Sequence, residues 1–439
     1  MGAACGAADR AAPAPLREDP PAERPAHDAG DAPATPAGLE WPNAEHRANS
    51  DPWIVTHHDD LTKMRPRVLA INLDNDPATR SKFESKIAEV IAGLNEGSRP
   101  HGYADAKAAP FLAYEVFKHV DMADDTPPPG WTHKYASRAP ARCTRDPSAW
   151  YSADYSALFS PAYTAAYDVA DPDAPSEKLG LCALIDRGMV HEVWLYMNGD
   201  SDPMTCPDGS KVDVGYAEIL ESKPIYAGGE ATGAFEHCAG NGCLGRIDAK
   251  AFAACGRTVR VLYVNSTRGP GCAIHSAGHG YEWMVHSEAV GADLRAWFDP
   301  FGNFDLKERL GLPFGDWYAC ASEDCVTFTG KNSLTWKLGD RSGAIAAYDQ
   351  GCGNVHFAPN ARAHYDENDV VVDATCETYG IGGAPRPFSR ASYARYEAMA
   401  PDCGGAWQIY WRQSFIGHAS AAKDARGRPM KNWWPYLFY

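Results

Sequence analysis

Three histidines and two glutamates lie within one short stretch of the chain, GPGCAIHSAGHGYEWMVHSE, which runs from Gly269 to Glu288. If this stretch is helical, the spacing i, i+4, i+7 and i+11 puts four polar side chains on one side of the helix: His275, His279, Glu282 and His286. Imidazole nitrogen and carboxylate oxygen atoms arranged in this way can bind one metal ion. This stripe is therefore the first candidate site.

His279 and Glu282 form an HxxE motif, and we predict that His356, in GCGNVHFAPN, supplies the third ligand. His286 and His275, from the same helix, are the alternatives. Two histidines, a carboxylate and an open position describe a hydrolytic zinc site, in which the metal lowers the pKa of bound water and polarises a carbonyl group. The same pair could instead form a buried hydrogen bond that only supports the fold.

The elements that must position these residues are predicted from short apolar runs. Three runs are typical of buried strands: RVLAINLDND from Arg67, VHEVWLYMNGD from Val190 and RTVRVLYVNSTRG from Arg257. A helix follows the first, because apolar side chains recur with helical spacing at Phe83, Ile87, Val90, Ile91 and Leu94. This alternation predicts an α/β fold with a mostly parallel sheet flanked by helices.

Polar residues follow these strands at the points where they end. Asp74 follows the first strand, and Asn265 and Arg268 follow the third. Ligands of open sheets bind beyond the carboxyl ends of the strands, so we predict that these three side chains bind substrate. Gly269 and Gly271 add backbone N–H groups at the start of the helix, where a carboxylate held by Arg268 would fit.

The chain from about residue 301 has many Gly, Pro and aromatic residues but few periodic segments, which predicts an irregular region held by disulfides. His364, in NARAHYDEND, is predicted to be an exposed loop residue. The last stretches, WQIYWRQSFIGH and KNWWPYLFY, are dense in aromatic residues, which favours core packing. In the alternative interpretation, Trp433 and Trp434 form a stacking surface for a glycan.

The cysteines indicate disulfides and a location outside the cytoplasm. The chain has 13 cysteines and no CxxC pair that would suggest a zinc ribbon or redox motif. Two pairs flank short polar loops and are the predicted local bridges: Cys238 with Cys243 in CAGNGC, and Cys320 with Cys325 in CASEDC.

The first 40 residues are rich in Ala and Pro and have no periodicity, which predicts a disordered tether before a single domain that spans residues 41–439. Cys5 follows small residues in MGAAC, as the cysteine of a lipoprotein cleavage site does. We therefore expect Cys5 to be a lipid anchor. We also expect the true start of the chain to lie upstream of the given sequence. The alternative is an ordinary cysteine in a disordered tail.

The charge of the chain narrows the choice of partner. A net charge of −16 and the absence of any Lys/Arg block argue against nucleic acid, which needs clustered cations. A small molecule, a peptide or a glycan is the expected ligand. No apolar run reaches about eighteen residues, so no transmembrane segment is predicted.

Several stretches together resemble a family of secreted bacterial proteins of unassigned function. The stretches INLDND, VHEVWLYMNG, RGPGCAIHSAGHGYEWM, GCGNVHFAPN and KNWWPYLF are similar, in that order, to its INxD, DEVWL, RGxG with GHRxE, GNVHxPPN and NNWW motifs. The chain departs from the pattern at Gly280, where the family usually has Arg. The residues that match the family motifs are His279, Glu282, Asn354, His356, Asn432, Trp433 and Trp434. The resemblance implies export and an α/β fold but no reaction.

A more distant resemblance concerns the site alone. An HxxE pair with a later histidine on an α/β scaffold is similar to the zinc site of carboxypeptidase-like enzymes. We therefore expect an exported zinc-dependent hydrolase that acts on an amide or ester of a peptide or cell-wall-like substrate. The alternative is a non-enzymatic surface module that binds glycan through its C-terminal aromatic residues.

Overall fold

A six-stranded sheet lies at the centre of the structure, a computed structural model that describes residues 38–43, 51–123, 155–198, 204–205, 208–212, 218–227, 230–239, 255–287, 290–320, 325–348 and 350–438. The chain from Gly38 onwards forms one compact unit. Cys5 and most of the predicted tether lie outside the described residues.

The strands are β1 (Leu39–Trp41), β2 (Leu61–Met64), β3 (Arg67–Asn72), β4 (Glu115–Asp121), β5 (Glu192–Met197), β6 (Met204–Thr205), β7 (Lys211–Val212), β8 (Ile219–Ala227), β9 (Glu230–Ala239), β10 (Val259–Asn265), β11 (Val326–Gly330), β12 (Ser333–Leu338), β13 (Arg341–Ile345), β14 (Val372–Ala374) and β15 (Arg386–Phe388). The α-helices are α1 (Asp51–His57), α2 (Pro77–Arg80), α3 (Phe83–Gly97), α4 (Pro161–Tyr167), α5 (Leu181–Asp186), α6 (Pro270–His286), α7 (Ala292–Gly302), α8 (Leu306–Leu310) and α9 (Gly405–Gln413). Short 3₁₀ helices cover Tyr155–Phe159, Trp317–Ala319, Arg390–Ser392, Ala394–Tyr396 and Pro435–Phe438. None of the helices in the described ranges is both long and apolar enough to cross a membrane.

The central sheet has the strand order β4-β3-β5-β10-β8-β9. Neighbouring strands are parallel from β4 to β10, and β8 and β9 complete the sheet in antiparallel pairing. The three predicted strands are β3, β5 and β10, which lie side by side. β5 is buried along its whole length, as expected for a strand covered on both faces. The predicted mostly parallel α/β fold is therefore confirmed.

Side chains that alternate along the strands pack into two separate cores. On one face, Ala70, Trp194 and Leu262 belong to the larger core, to which α3, α6 and α9 contribute. On the other face, Ile71 and Leu195 pack with side chains of α4 and α5. This period-two alternation places helices on both faces of the sheet, as the sequence predicts.

Helix α6 begins directly after β10 and is almost completely buried. Pro270 occupies its first turn, where a missing N–H costs nothing. Its glycines allow close contact with neighbouring segments: a methyl group added to Gly278 would lie 2.4 Å from Oε1 of Gln408 and 2.9 Å from Cγ2 of Val355. These glycines therefore let α6 pack tightly between the sheet and the C-terminal part of the chain.

The C-terminal part is more regular than the sequence predicts. Strands β11, β12 and β13 form an antiparallel sheet, and every residue of α9 is buried. Disulfides among the described residues join Cys320 to Cys325, as predicted, and also Cys352 to Cys376, Cys272 to Cys403 and Cys182 to Cys255. Cys238 is disulfide-bonded as well, but Cys243 lies outside the described residues, so the pairing of these two stays a prediction.

Candidate metal centre

Three buried imidazoles converge between α6 and the loop that follows β13. His275 and His279 project from successive turns of α6, and His356 comes from the loop. The Nε2 atom of His279 lies 3.1 Å from Nε2 of His275 and 3.1 Å from Nε2 of His356. The exposed fractions of these residues are 4%, 0% and 7% for His275, His279 and His356. Three nitrogen atoms from two distant parts of the chain thus face one small volume.

The loop that carries His356 is held in place from two sides. The disulfide between Cys352 and Cys376 closes its start, and the side chain of Asn354 accepts a hydrogen bond from the His356 N–H at 3.2 Å. Side chains of α9 donate to its carbonyl groups, including Gln408 to Val355 at 2.9 Å. His356 therefore has little freedom to leave the cluster.

Glu282 binds the opposite side of the His279 ring. Its Oε2 accepts a hydrogen bond from Nδ1 of His279 at 2.8 Å, and its Oε1 accepts one from the backbone N–H of Val355 at 2.8 Å. The hydroxyl of Tyr318 donates to the same carboxylate at 2.8 and 2.9 Å. Because the carboxylate fixes the proton on Nδ1, Nε2 of His279 presents its lone pair to the other two histidines.

Burial keeps two histidines of the cluster, His275 and His356, neutral. It holds the pKa of His275 well below its usual value, and the neighbouring His279 lowers it further. The pKa of His356 is lowered by burial first and then by His279 and His275. Neutral imidazoles are the form that binds metals. One lone pair on His279 cannot serve two imidazole donors well, whereas one cation can accept a lone pair from each of the three rings.

Glu218 places a second carboxylate beside the cluster. Its Oε2 lies 4.0 Å from Nε2 of His279 and 3.5 Å from the hydroxyl of Ser276, and its side chain is 37% exposed. Unlike Glu282, this carboxylate is therefore accessible to solvent and to a substrate. Sequence reasoning missed Glu218 because it precedes β8 and belongs to no motif.

Two further residues of the segment after β13 border the cluster. The ring of His364 lies 5.1 Å from that of His356 and is half-buried, so the predicted exposed loop position is wrong. Burial lowers the pKa of His364. The hydroxyl of Tyr365 lies 2.6 Å from Nε2 of His356. Both residues are close to the imidazoles although neither belongs to the HxxE pattern.

His286 lies apart from the cluster. Its Nδ1 donates to the backbone carbonyl of Glu282 at 2.7 Å, and its Nε2 lies 3.3 Å from Oδ1 of Asp299. Burial lowers the pKa of His286, but these hydrogen bonds outweigh it, so its pKa is raised. Of the two alternative ligands on the helix, the structure brings His275 to the cluster.

The predicted substrate-binding residues have other partners. Asp74 is fully buried and accepts hydrogen bonds from Thr79 and Ser266, so it cannot reach a substrate. Asn265 accepts hydrogen bonds from Thr267 within a turn. Arg268 is exposed, and its Nη1 lies 3.8 Å from Sγ of Cys403.

The start of α6 binds a carboxylate that belongs to the chain itself. Asp402 accepts hydrogen bonds from the N–H groups of Gly269 at 2.7 Å and Gly271 at 3.0 Å. The predicted anion site is therefore occupied by an internal side chain. Asp402 also lies beside Cys272 and Cys403, but these cysteines form a disulfide and have no thiolate to offer a metal.

The aromatic C-terminus is part of the core. Trp433 and Trp434 are each 1% exposed; Trp433 packs against Phe301 and Phe415, and Trp434 against Tyr281. Neither indole offers a face to a glycan, so the stacking surface predicted as the alternative is wrong and the prediction of core packing is confirmed.

Comparisons of the chain with protein-family models, with curated proteins and with solved structures find no match. The resemblance to the secreted family and the similarity to carboxypeptidase-like enzymes therefore stay predictions. The geometry of the site must carry any functional argument.

Proposed function

We propose that the protein is a zinc-dependent hydrolase whose metal ligands are His275, His279 and His356. The observation that carries the proposal is the convergence of three buried imidazole nitrogens on one volume. His275 takes the place that the sequence assigned to Glu282. Glu282 instead orients His279 through Nδ1, the arrangement in which a carboxylate supports a histidine ligand from outside.

The two nitrogen spacings at His279 suit zinc. Zinc–nitrogen bonds of about 2.0–2.1 Å in tetrahedral geometry place two ligand nitrogens about 3.3 Å apart. The two distances of 3.1 Å at His279 are close to this value. Three imidazoles and one open position are also a known ligand set of catalytic zinc sites. Hard cations such as Mg²⁺ and Ca²⁺ prefer oxygen ligands and fit this group less well.

Glu218 is the proposed general base. A zinc ion at the cluster would polarise a carbonyl group and lower the pKa of bound water to about 7. Glu218, whose carboxylate is 4.0 Å from Nε2 of His279 and partly exposed, is positioned to accept a proton from that water. The same carboxyl group then passes the proton to the leaving amine or alcohol. This chemistry fits an amide or ester of a peptide or cell-wall-like substrate.

The proposed place of action is outside the cytoplasm. The disulfides of the described residues are compatible with an oxidising compartment, where such bridges persist. Export and lipidation at Cys5 would bring the enzyme to cell-surface substrates. Metabolic labelling of Cys5 with a fatty-acid analogue, in cells that express the full chain, tests the anchor.

The catalytic proposal is tested by separating metal binding from turnover. The zinc-loaded wild type and Glu218→Gln should contain equal amounts of metal, while hydrolysis of a panel of nitrophenyl esters and peptide amides falls by about 10²–10⁴-fold in Glu218→Gln. His286→Ala, which alters a histidine of the same helix outside the cluster, should keep wild-type activity. Equal activity in Glu218→Gln and wild type would remove Glu218 from the mechanism.

A further inference from the structure

We propose that Tyr365 is the fourth ligand of the metal in the resting enzyme and that substrate displaces it, an inference that rests on the proposed zinc site. The hydroxyl oxygen of Tyr365 is 2.6 Å from Nε2 of His356. Its ring lies 4.3 Å from the ring of His356 and 5.4 Å from that of His275. The phenol therefore lies against two of the three imidazoles, within reach of an ion bound between them.

The backbone of Tyr365 is held in an unfavourable conformation. Its φ angle is 59°, in the left-handed region that residues other than glycine seldom adopt, at a cost of about 1 kcal/mol or more. The N–H group of Tyr365 donates to the carbonyl of His356 at 2.9 Å, and the ion pair of Arg362 with Asp366 at 2.7 Å spans the same turn. These contacts keep the phenol aimed at the histidines despite the strain.

The ring of Tyr365 can nevertheless leave without disturbing the core. It is 52% exposed, the largest value among the large hydrophobic side chains of the described ranges. Because so much of the ring already faces water, rotation of the side chain about its own bonds exposes little additional apolar surface. Because the turn is fixed and the ring is exposed, the side chain of Tyr365 can rotate while its backbone stays in place.

Binding and release of the Tyr365 oxygen each involve the transfer of one proton. With a metal bound, the Tyr365 oxygen would release its proton to solvent and would add one oxygen ligand to the three imidazole nitrogens. When a substrate enters and displaces the phenolate, the Tyr365 oxygen would regain a proton from solvent and the ring would move outward, which would leave the position to the water that Glu218 activates. Tyr365 thus excludes other small ligands from the metal until a substrate that can replace the phenolate enters. This makes it a specificity-determining residue.

Copper provides a readout that does not depend on activity. Wild type, Tyr365→Phe and Tyr318→Phe are each loaded with one equivalent of Cu²⁺, and bound copper is measured by elemental analysis. A phenolate ligand gives a phenolate-to-copper charge-transfer band in the visible spectrum. Tyr318 is the matched control because its hydroxyl is in the same site but binds Glu282. We expect the band in wild type and in Tyr318→Phe, and its loss in Tyr365→Phe.

Displacement is tested in the same samples with acetohydroxamate, a small chelating probe that can occupy the open position. The band of the wild type should disappear as the probe binds, while copper content stays constant. Stoichiometric copper without the band, or a band that survives in Tyr365→Phe, would overturn the role of Tyr365. A band that persists in the presence of bound probe would overturn its displacement. If the wild type binds no copper or zinc, the proposed zinc site itself fails.

Discussion

Replacement of Glu282 by glutamine tests the geometry around His279 with a change of one atom. The Glu282 carboxylate accepts hydrogen bonds from three groups, Nδ1 of His279, the hydroxyl of Tyr318 and the N–H of Val355. A glutamine side chain has the same shape but only one oxygen, and its amide nitrogen can only donate. Its NH₂ group must therefore face either Nδ1 of His279 or the N–H of Val355, and both are donors.

The expected loss of zinc affinity in Glu282→Gln follows from the hydrogen bond that is lost. An amide facing His279 no longer fixes the orientation of the ring, and an amide facing Val355 pushes away the loop that carries His356. Residues that accept a hydrogen bond from the ring nitrogen of a histidine ligand that does not bind the metal contribute about 10- to 100-fold to metal affinity. We therefore expect the zinc dissociation constant of Glu282→Gln to rise by that factor, which corresponds to about 1.4–2.8 kcal/mol.

A competition titration against a chromogenic zinc chelator measures this affinity. Tyr318→Phe, which removes one donor but keeps the carboxylate, should weaken binding by less than about tenfold because it loses only one hydrogen bond. Two results would refute the reasoning. Unchanged affinity in Glu282→Gln would mean that the carboxylate does not orient His279. A loss as complete as that of His279→Ala would make Glu282 a direct ligand, as in the ligand set predicted from the sequence.

Two further predictions concern the scaffold. Burial raises the pKa of Asp51 from its usual 3.8 to about 6, so the stability that this group contributes is present below pH 4 and is lost as the pH rises through 6. The unfolding free energy of the wild type relative to Asp51→Asn should fall by about 2 kcal/mol between pH 4 and 7 in urea titrations, and a constant difference would contradict this. Gly278→Ala should destabilise the protein by about 1–3 kcal/mol and weaken zinc binding, because the added methyl group meets Gln408 and Val355. Gly315→Ala, whose methyl group meets nothing closer than 4.0 Å, should behave like the wild type in both assays.

Local sequence patterns were sufficient to predict the centre of the fold. The apolar runs of β3, β5 and β10 are continuous because these strands are buried on both faces, and the stripe that begins at Phe83 matches α3. The sheet of β11, β12 and β13 was missed. SLTWKL of β12 has the alternating pattern of a half-buried strand, but its two neighbours are short, and glycine ends β11 and interrupts β13, which weakens the pattern there.

The site was predicted only in part, for a geometric reason. Helical spacing places Glu282 beside His279, but the same spacing lets the carboxylate bind Nδ1 from outside instead of sharing a cation with Nε2. Periodicity does not indicate which nitrogen of a ring faces the site. Glu218 and Tyr365 are brought to the cluster by long-range packing, so no local motif could identify them.

The metal content of the purified protein tests the central claim most directly. Wild type, His275→Ala and His286→Ala are purified without a chelator or a histidine tag, reconstituted with zinc, and analysed by elemental mass spectrometry. We expect about one equivalent of zinc in the wild type and in His286→Ala, and little in His275→Ala. Absence of zinc from the reconstituted wild type, or a full equivalent in folded His275→Ala, would contradict the proposed site.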